Sequence, residues 1–259
     1  MPFLSIIINC DTRPEKATAD GLFSGTSNLD YLTDGIFNKL KFFKDFDTEC
    51  IVFIDEHLPV PDKTLEYLRS LASTVVIRKH THEESFNDYN YLSALQLARG
   101  QYVAHFDQDT ACFTSNSEPI HKMIRSLDQV KFVSYPSYWS PRAVDDPSFG
   151  KRTWASTRFF ICKRETLKFD ELRACIVEPN YGYEKYGDSP RRCNWLEHFL
   201  TLTNNDSCFY PPMEIDNYTI FSWGKYEQYT LRRLNELAYT EIRQWLNNHP
   251  IVYPNDIHL

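Results

Sequence analysis

Short apolar runs alternate with helical patterns along the first half of the chain. The apolar runs have the length of buried strands, and the segments between them repeat apolar residues at the spacing of a helix face. The runs are residues 3–8, 50–54, 74–77 and 102–106, and the helical segments are residues 29–43, 64–72 and 89–98. This order predicts an α/β fold, with a mostly parallel central sheet, right-handed crossovers and flanking helices.

The second half of the chain has a less regular pattern. It predicts helices at residues 117–127 and 194–202, short strands at residues 131–135 and 157–162, and the start of a helix at residues 163–169. Aromatic and polar loops separate these elements, and residues 226–247 have the pattern of one amphipathic helix. We therefore expect one compact unit with a C-terminal helical extension.

The fourth apolar run ends on two carboxylates, Asp107 and Asp109, that are one residue apart. An unpaired carboxylate inside a strand that is buried on both faces costs several kcal/mol. A position at the carboxyl end of the strand removes that cost and directs both groups into the crevice where open α/β sheets bind ligands. Two such carboxylates suit a hard divalent cation, which in turn suits a diphosphate. Solvated turns also contain this triplet, so the neighbouring segments decide its meaning.

Composition and charge argue against several classes of function. The 259 residues are 42% hydrophobic and 24% charged, as in an ordinary globular protein, and the net charge of −7 argues against a broad nucleic-acid-binding face. No apolar run is long enough to span a bilayer, and the first run lacks the flanks of a signal peptide. Seven cysteines without a CxxC pattern fit a reduced compartment and make structural zinc improbable. We expect a cytoplasmic protein without a transmembrane segment.

Three segments, LSIIINC, ECIVFIDEH and ALQLARGQYVAHFDQDT, together resemble the nucleotide-binding half of family 2 glycosyltransferases with the GT-A fold. In that family a first strand ends in a small polar residue and a second strand ends in Asp. A helix ending in Ala-x-Gly then leads into a strand that runs directly into Asp-x-Asp. The match covers about residues 3–113 in order and spacing, with looser features to about residue 225.

The resemblance implies a domain organisation and a reaction. It implies one GT-A-like domain at residues 1–225, with the nucleotide- and metal-binding half at 1–115, the acceptor half at 116–225 and the helical extension at 226–259. It also implies metal-dependent transfer of a sugar from a nucleotide-diphosphate sugar, usually with inversion at the anomeric carbon. The acceptor it suggests is a glycan or a lipid-linked sugar, as in surface polysaccharide synthesis.

The resemblance also assigns roles to residues at the strand ends. Asn9 and Asp11 would bind the nucleotide, and Asp55 would accept a hydrogen bond from an N–H group of the base. Asp107 would face the ribose and the metal, and Asp109 would ligate Mn2+ or Mg2+ directly.

The chain departs from the family pattern at two places. Its second strand ends Ile-Asp-Glu-His rather than Asp-Asp-Gly-Ser, and Leu92 and Ala94 stand where the family has asparagine and glycine. These departures leave the identity of the donor open.

The transfer requires a base for the acceptor hydroxyl, because the reaction passes through an oxocarbenium-like transition state with a leaving diphosphate. In the family the base is a carboxylate at the start of a downstream helix, so the resemblance makes Glu197 the first candidate and His198 the second. A first-turn glutamate that only complements the helix dipole is the structural alternative. The resemblance also makes Lys225 a candidate phosphate ligand, with Arg158 and the pair Arg191-Arg192 as alternatives and a solvated side chain as the structural alternative for each.

Aromatic residues make up 15% of the chain, and several fall in the polar loops of the second half. Flat rings stack on the apolar faces of sugars, so Trp154, Tyr183 and Trp195 are candidates for acceptor binding. Most of the other aromatic residues are expected to build the core.

The amphipathic tail leaves three roles open: packing on the domain, pairing of two subunits in a homodimer, or peripheral contact with the inner face of a membrane. The mixed charge of its polar side favours packing.

Two other classes of function use similar folds. A nucleotidyltransferase that makes nucleotide sugars would carry a glycine-rich, basic phosphate loop after its first strand, and residues 11–15 contain no such run. A non-catalytic nucleotide-sugar-binding protein is the second alternative. The presence of Asp107, Asp109 and Glu197 argues against it.

Overall fold

The computed structural model of the chain describes residues 2–12, 40, 43–56, 58–79, 88–107, 110–112, 117–134, 159–177, 196, 208–209 and 220–222. Within these ranges the strands are β1 (Leu4–Asp11), β2 (Thr48–Glu56), β3 (Thr74–Lys79), β4 (Tyr102–Asp107), β5 (Thr110–Cys112), β6 (Phe132–Ser134), β7 (Phe159–Lys163), β8 (Cys208–Phe209) and β9 (Ile220–Ser222). The α-helices are α1 (Asp62–Leu71), α2 (Asp88–Gln96), α3 (Glu118–Ser126) and α4 (Phe169–Val177), and a 3-10 helix covers Arg164–Leu167.

Seven strands form the central sheet, in the order β3-β2-β1-β4-β7-β6-β8. The first four strands of this order are mutually parallel, β7 is antiparallel to both of its neighbours, and β8 is parallel to β6. A separate antiparallel pair joins β5 to β9. The predicted α/β class with a mostly parallel central sheet flanked by helices is confirmed.

Helices cover both faces of the sheet. On one face Ile6 and Ile8 of β1 pack with Leu68 of α1 and with residues of α3, while on the other face Ile7 packs with residues of α2 and α4. Successive side chains of a strand point to opposite faces, so a strand covered on both sides must be apolar at nearly every position. This explains why β1 is a continuous apolar run rather than an alternating one.

The predicted elements that fall in the described ranges are confirmed, with their ends shifted by a few residues. The four strands of the first half and helices α1, α2 and α3 all lie where the pattern placed them. The segment at 163–169 begins as a 3-10 turn, and α4 follows it. The predicted helices at 29–43 and 194–202 fall almost entirely outside the described residues: residues 40 and 196 are helical, and residue 43 lies in a turn. The predicted tail helix lies outside them altogether.

Four cysteines belong to the core of the described part of the chain. The side chains of Cys10, Cys50, Cys162 and Cys175 are all buried. Burial raises the pKa of the Cys162 thiol, so this residue is a small core side chain and not a nucleophile.

A buried glutamate fastens α2 to the amino edge of the sheet. Glu49 of β2 is 4% exposed, and the Ser5 hydroxyl donates to its Oε1 at 2.6 Å. The backbone N–H of Arg99 donates to Oε1 at 2.7 Å, and the Arg99 guanidinium donates to Oε2 at 2.7 and 2.8 Å. A buried carboxylate is stable only when its oxygens are paired, and here both oxygens are. The segment that follows α2 is thereby held against β1 and β2.

Gly100 completes this attachment by close packing. Its N–H donates to the Ser5 hydroxyl at 2.7 Å, and a Cβ at this position would lie 2.6 Å from the backbone nitrogen of Ser5. The helical segment predicted at residues 89–98 would place Gly100 just after the helix end, yet α2 ends at Gln96 and Gly100 does not adopt a left-handed backbone. A glycine is needed here because two backbone segments meet, and not because a helix cap requires it.

The charge of Glu49 links folding stability to pH. Burial alone would raise the pKa of Glu49, but the hydrogen bonds from Ser5 and Arg99 outweigh it and hold the pKa below the usual value of 4.5. Because the pKa is lower in the folded state, the stabilisation is fully present above the unfolded-state value. It is lost as the pH falls through the folded-state value.

We therefore predict that Glu49→Gln lowers the free energy of unfolding at pH 7 by about 1–3 kcal/mol, as expected for the loss of a buried, charge-assisted network. Urea unfolding at a series of pH values measures this loss, and the gap between variant and wild type should narrow as the pH falls below the usual glutamate pKa of 4.5. Glu118→Gln is the matched control, since Glu118 also contacts an arginine at 2.8 Å but both partners are exposed. It should leave stability close to wild type. A Glu49→Gln variant as stable as that control would contradict the prediction.

Candidate active site

Three polar side chains leave the same face of the sheet at its carboxyl edge. Asn9 of β1 is the register partner of Asp107 in β4 and of Phe53 in β2. Asp55 lies two residues after Phe53 in β2, so its side chain leaves the same face. All three occupy the positions that continue the face covered by α2 and α4. The sequence predicted these three residues at one site, and the structure brings them together on three adjacent strands.

The buried amide of Asn9 is the clearest sign of a ligand-binding site at this edge. The residue is 8% exposed, and neither its Oδ1 nor its Nδ2 has a hydrogen-bond partner among the described residues. Leaving a buried polar group unpaired costs about 1–3 kcal/mol, so native proteins seldom do so without a reason. A ligand that offers one donor and one acceptor would satisfy both atoms.

Asp107 is half-buried at the last position of β4. The phenol of Tyr91 in α2 donates a hydrogen bond to its Oδ1 at 3.0 Å. Sequence reasoning treated Tyr91 only as a member of the apolar face of the helix, because a tyrosine at helical spacing gives no sign of where its hydroxyl points.

Asp55 is 3% exposed and has Arg78 of β3 as its register partner, so both side chains leave the same face. Nη1 of Arg78 donates to Oδ1 of Asn90 in α2 at 3.4 Å. The first turns of α2 therefore contact the ends of both β3 and β4. Arg78 and Asn90 were not assigned to the site from the sequence, since a lone arginine at a strand end is usually solvated.

A threonine joins the two chain segments that leave the sheet beside Asn9 and Asp55. Thr12 is fully buried, and its hydroxyl donates to the carbonyl of Leu58 at 2.9 Å while accepting from the N–H of Leu58 at 2.8 Å. The N–H of Thr12 also donates to the carbonyl of Asp55 at 3.1 Å. These bonds fix the backbone at the edge from which Asn9 and Asp55 project.

Asp107 lies at the end of the central sheet, shortly before the chain enters the second sheet. Asp107 ends β4, Thr110 begins β5, and Thr110 pairs with Ser222 of β9. Asp109 lies outside the described residues. Within the described part of the chain no three histidine, cysteine or acidic side chains are grouped so as to hold a metal ion. Oxygen donors of the kind that Mn2+ and Mg2+ prefer are nevertheless what the carboxylate pair of Asp107 and Asp109 offers.

The other predicted site residues are not described in their side chains. Asp11 is the last residue of β1 and the register partner of Asp55, but only its backbone is described. Six further residues that the sequence analysis assigned to the site lie outside the described ranges: Glu197, His198, Lys225, Trp154, Tyr183 and Trp195. Leu196 is helical and packs with the core beneath α2 and α4, so this one residue lies on the same side of the sheet as the site.

A cavity of about 430 Å3 lies away from these residues, beside the turn between α3 and β6. Its charged lining consists of Lys131, Lys163, Lys168, Asp128 and Glu165, and Lys163 is paired with Asp128 at 3.2 Å. The opposite charges nearly cancel, which gives the cavity no preference for an ionic ligand. No helix in the described part of the chain is long and apolar enough to cross a membrane.

Solved structures share this architecture. A mannosyltransferase from Pyrobaculum calidifontis in complex with GDP-Man and Mn2+ superposes with a TM-score of 0.51 at 14% identity, over 97% of this chain and 66% of that one. The chain thus spans slightly less than two thirds of that enzyme. A galactosyltransferase, LgtC, in complex with donor and acceptor sugar analogues gives a TM-score of 0.52 at 10% identity, over 80% of this chain and 72% of that one.

The chain has the GT-A fold. No protein-family model and no curated protein sequence matches it. The likeness is therefore one of fold, and its structural neighbours are nucleotide-sugar glycosyltransferases. In a GT-A fold the carboxyl edge of the parallel strands is where a nucleotide is expected, as in other open α/β sheets.

We predict that Asn9→Leu raises the free energy of unfolding of the ligand-free protein by about 1 kcal/mol, because it removes an unpaired buried amide. Urea unfolding without nucleotide or metal measures the change. Ser134→Ala is the contrasting control: Ser134 is also buried, but its hydroxyl donates to the carbonyl of Phe159, so its removal should lower stability. If Asn9→Leu lowered stability as much as Ser134→Ala, the amide would have a partner within the fold.

Proposed function

We propose that the protein is a metal-dependent, inverting glycosyltransferase that moves a sugar from a nucleotide-diphosphate sugar to a hydroxyl of a glycan or lipid-linked acceptor. The observation that carries this proposal is the unpaired, buried amide of Asn9, placed between Asp55 and Asp107 at the carboxyl edge of a GT-A fold.

Each residue of this edge has a role in holding the donor. A carbonyl group of a nucleobase matches the Nδ2 donor of Asn9, and the ring N–H of the base matches the buried carboxylate of Asp55. Asp107 lies across β1 from Asp55 and faces the sugar-phosphate side of a nucleotide held in this way. Asp11 follows on the same edge as a further nucleotide contact.

Asp107 and Asp109 are the residues that would hold Mn2+ or Mg2+. When bound, such an ion neutralises charge on the leaving diphosphate as a Lewis acid. Lys225 would add a second positive charge. In the sequence it comes three residues after Ser222, which is the register partner of Thr110, and Thr110 directly follows Asp109.

The acceptor side rests on residues of the second half. Glu197, or His198 in its place, would remove the proton from the acceptor hydroxyl, which makes that oxygen a nucleophile towards the anomeric carbon. Trp154, Tyr183 and Trp195 would stack on the acceptor sugar. A role in surface polysaccharide synthesis is part of the proposal.

Product analysis tests the proposed reaction against its alternatives. Purified protein is incubated with nucleotide sugars and Mn2+, with and without EDTA, and released nucleoside diphosphate is measured. Metal-dependent release supports the transferase. Release of pyrophosphate from a nucleoside triphosphate and a sugar phosphate would instead identify a nucleotidyltransferase, and neither product would favour a non-catalytic binding protein.

The donor nucleotide can be identified by a thermal-shift screen of UDP, GDP, CDP and dTDP with Mn2+. Ligand that binds only the folded state raises the melting temperature in proportion to the logarithm of its excess over Kd. We expect one of the four to give the largest shift, and the Asn9→Leu variant to lose most of it. Four equal, negligible shifts would contradict nucleotide binding.

We predict that Asp109→Ala abolishes metal-dependent donor turnover and leaves the melting temperature of the ligand-free protein close to wild type. The loss follows from removing a direct metal ligand. Asp128→Ala, which removes the same charge at an exposed position beside the distant cavity, should retain full turnover. Wild-type turnover by Asp109→Ala would show that the carboxylate pair is not the metal site.

A further inference from the structure

The hydrogen bond from Tyr91 to Asp107 links α2 directly to the proposed donor site. The hydroxyl oxygen of Tyr91 lies 3.0 Å from Oδ1 of Asp107, and the phenol is the donor because an ionised carboxylate can only accept. Tyr91 is 9% exposed, whereas Asp107 is half-buried at the mouth of the site. A buried side chain thus reaches outward to hold a more exposed one.

The ring of Tyr91 is itself held by a series of ring contacts. It meets the imidazole of His105 edge-on, with centroids 5.2 Å apart and planes at 73°. His105 is fully buried and stacks on Phe160 of β7, its register partner, at 5.0 Å and 11°. Edge-to-face and stacked geometries are the favourable ones for such rings. The hydroxyl therefore occupies one place relative to the sheet.

The helix that carries Tyr91 is also fixed at its far end. The segment after α2 is bound to the amino edge by Glu49 through Arg99, and Gly100 packs on Ser5. One end of this segment is therefore bound to β1 and β2, and the other end contacts β4, the neighbour of β1 in the sheet.

We infer that Tyr91 is a positioning residue: its hydroxyl fixes the rotation of the Asp107 carboxylate so that the carboxylate meets the metal-bound diphosphate sugar in one orientation. The inference rests on the proposed function. The terminal torsion of an aspartate is soft, so a carboxylate at a half-exposed strand end samples many rotations unless a neighbour holds it. Holding it in advance removes an ordering cost from ligand binding.

If the Tyr91 hydroxyl served only the fold, its removal would lower the melting temperature and leave cation binding unchanged. The positioning role predicts the opposite. Water can solvate the half-exposed Asp107 if the phenol is removed, and phenylalanine keeps the ring contact with His105. Tyr91→Phe should therefore fold with a melting temperature within about 2 °C of wild type. Its defect should appear instead in the binding of the cation.

The test is a titration of Mn2+ into protein saturated with each of UDP, GDP, CDP and dTDP, followed by calorimetry. For the nucleotide that wild type binds, Tyr91→Phe should raise the half-saturating Mn2+ concentration about tenfold, in keeping with the loss of one hydrogen bond to a charged group. Nucleotide affinity in EDTA should change by less than about twofold, because the base contacts are untouched.

Tyr102→Phe is the matched control. Tyr102 is a buried tyrosine at the opposite end of β4, where its ring packs on Phe3. It should keep the wild-type Mn2+ dependence.

The outcomes separate the two proposals. If wild type binds none of the four nucleotides with Mn2+, the proposed function is wrong, and the role of Tyr91 is wrong with it. If wild type binds one of them and Tyr91→Phe has an unchanged half-saturating Mn2+ concentration, the proposed function stands and the positioning role is wrong. A Tyr91→Phe variant whose melting temperature falls by much more than that of Tyr102→Phe, with unchanged Mn2+ dependence, would show that the hydroxyl serves only the fold.

Discussion

The placement of α2 against the sheet depends on the hydrogen bonds that Ser5 and Arg99 donate to the Glu49 carboxylate at the amino edge. A buried carboxylate that lost its partners would be too costly to keep, so Ser5 and Arg99 must meet it whenever the sheet is formed. That requirement sets where the segment after α2 joins β1 and β2. It also sets where the other end of the helix arrives, at the edge where Tyr91 contacts Asp107.

On the sheet face covered by α2 and α4, polar side chains lie at both edges and apolar side chains lie between them. Along β2 the residues on this face begin with a carboxylate whose oxygens are fully paired, continue through apolar side chains of the core, and end with Asp55. Along β1 the same face begins with Ser5, which is bonded within the fold, and ends with Asn9, whose amide is unpaired within the described residues. The polar groups at the amino edge thus find their hydrogen-bond partners within the protein. By our proposal, a bound nucleotide supplies the partners at the carboxyl edge.

The sequence predicts the first half of the fold well because each strand there is an apolar run covered on both faces, and such runs are visible without knowing their neighbours. The resemblance placed Asn9, Asp55 and Asp107 at the ends of these strands, and the structure has them there on three adjacent strands; their roles stay predictions. The sequence does not predict that β7 is antiparallel, because the composition of a short buried strand is the same in either direction. Nor does it predict the contact of Tyr91, which depends on the height of α2 along the sheet. That height is set by Glu49 and Gly100, which are distant in sequence from Asp107.

The reversed direction of β7 has a consequence for how such a protein can diversify. Phe159 at the start of β7 pairs with Phe106, next to Asp107, and Ser134 at the end of β6 pairs with Phe160. The chain therefore leaves the sheet after Ser134 and re-enters it at Phe159, both at the edge of the candidate site, and the candidate Trp154 falls between these two strands in the sequence. Insertions, deletions or exchanges between the two strands would leave the register pairs of Ser134 and Phe159 in place, together with Asn9, Asp55 and Asp107. By our proposal, new acceptors could thus be acquired in evolution by altering one segment, with the nucleotide-binding framework inherited unchanged.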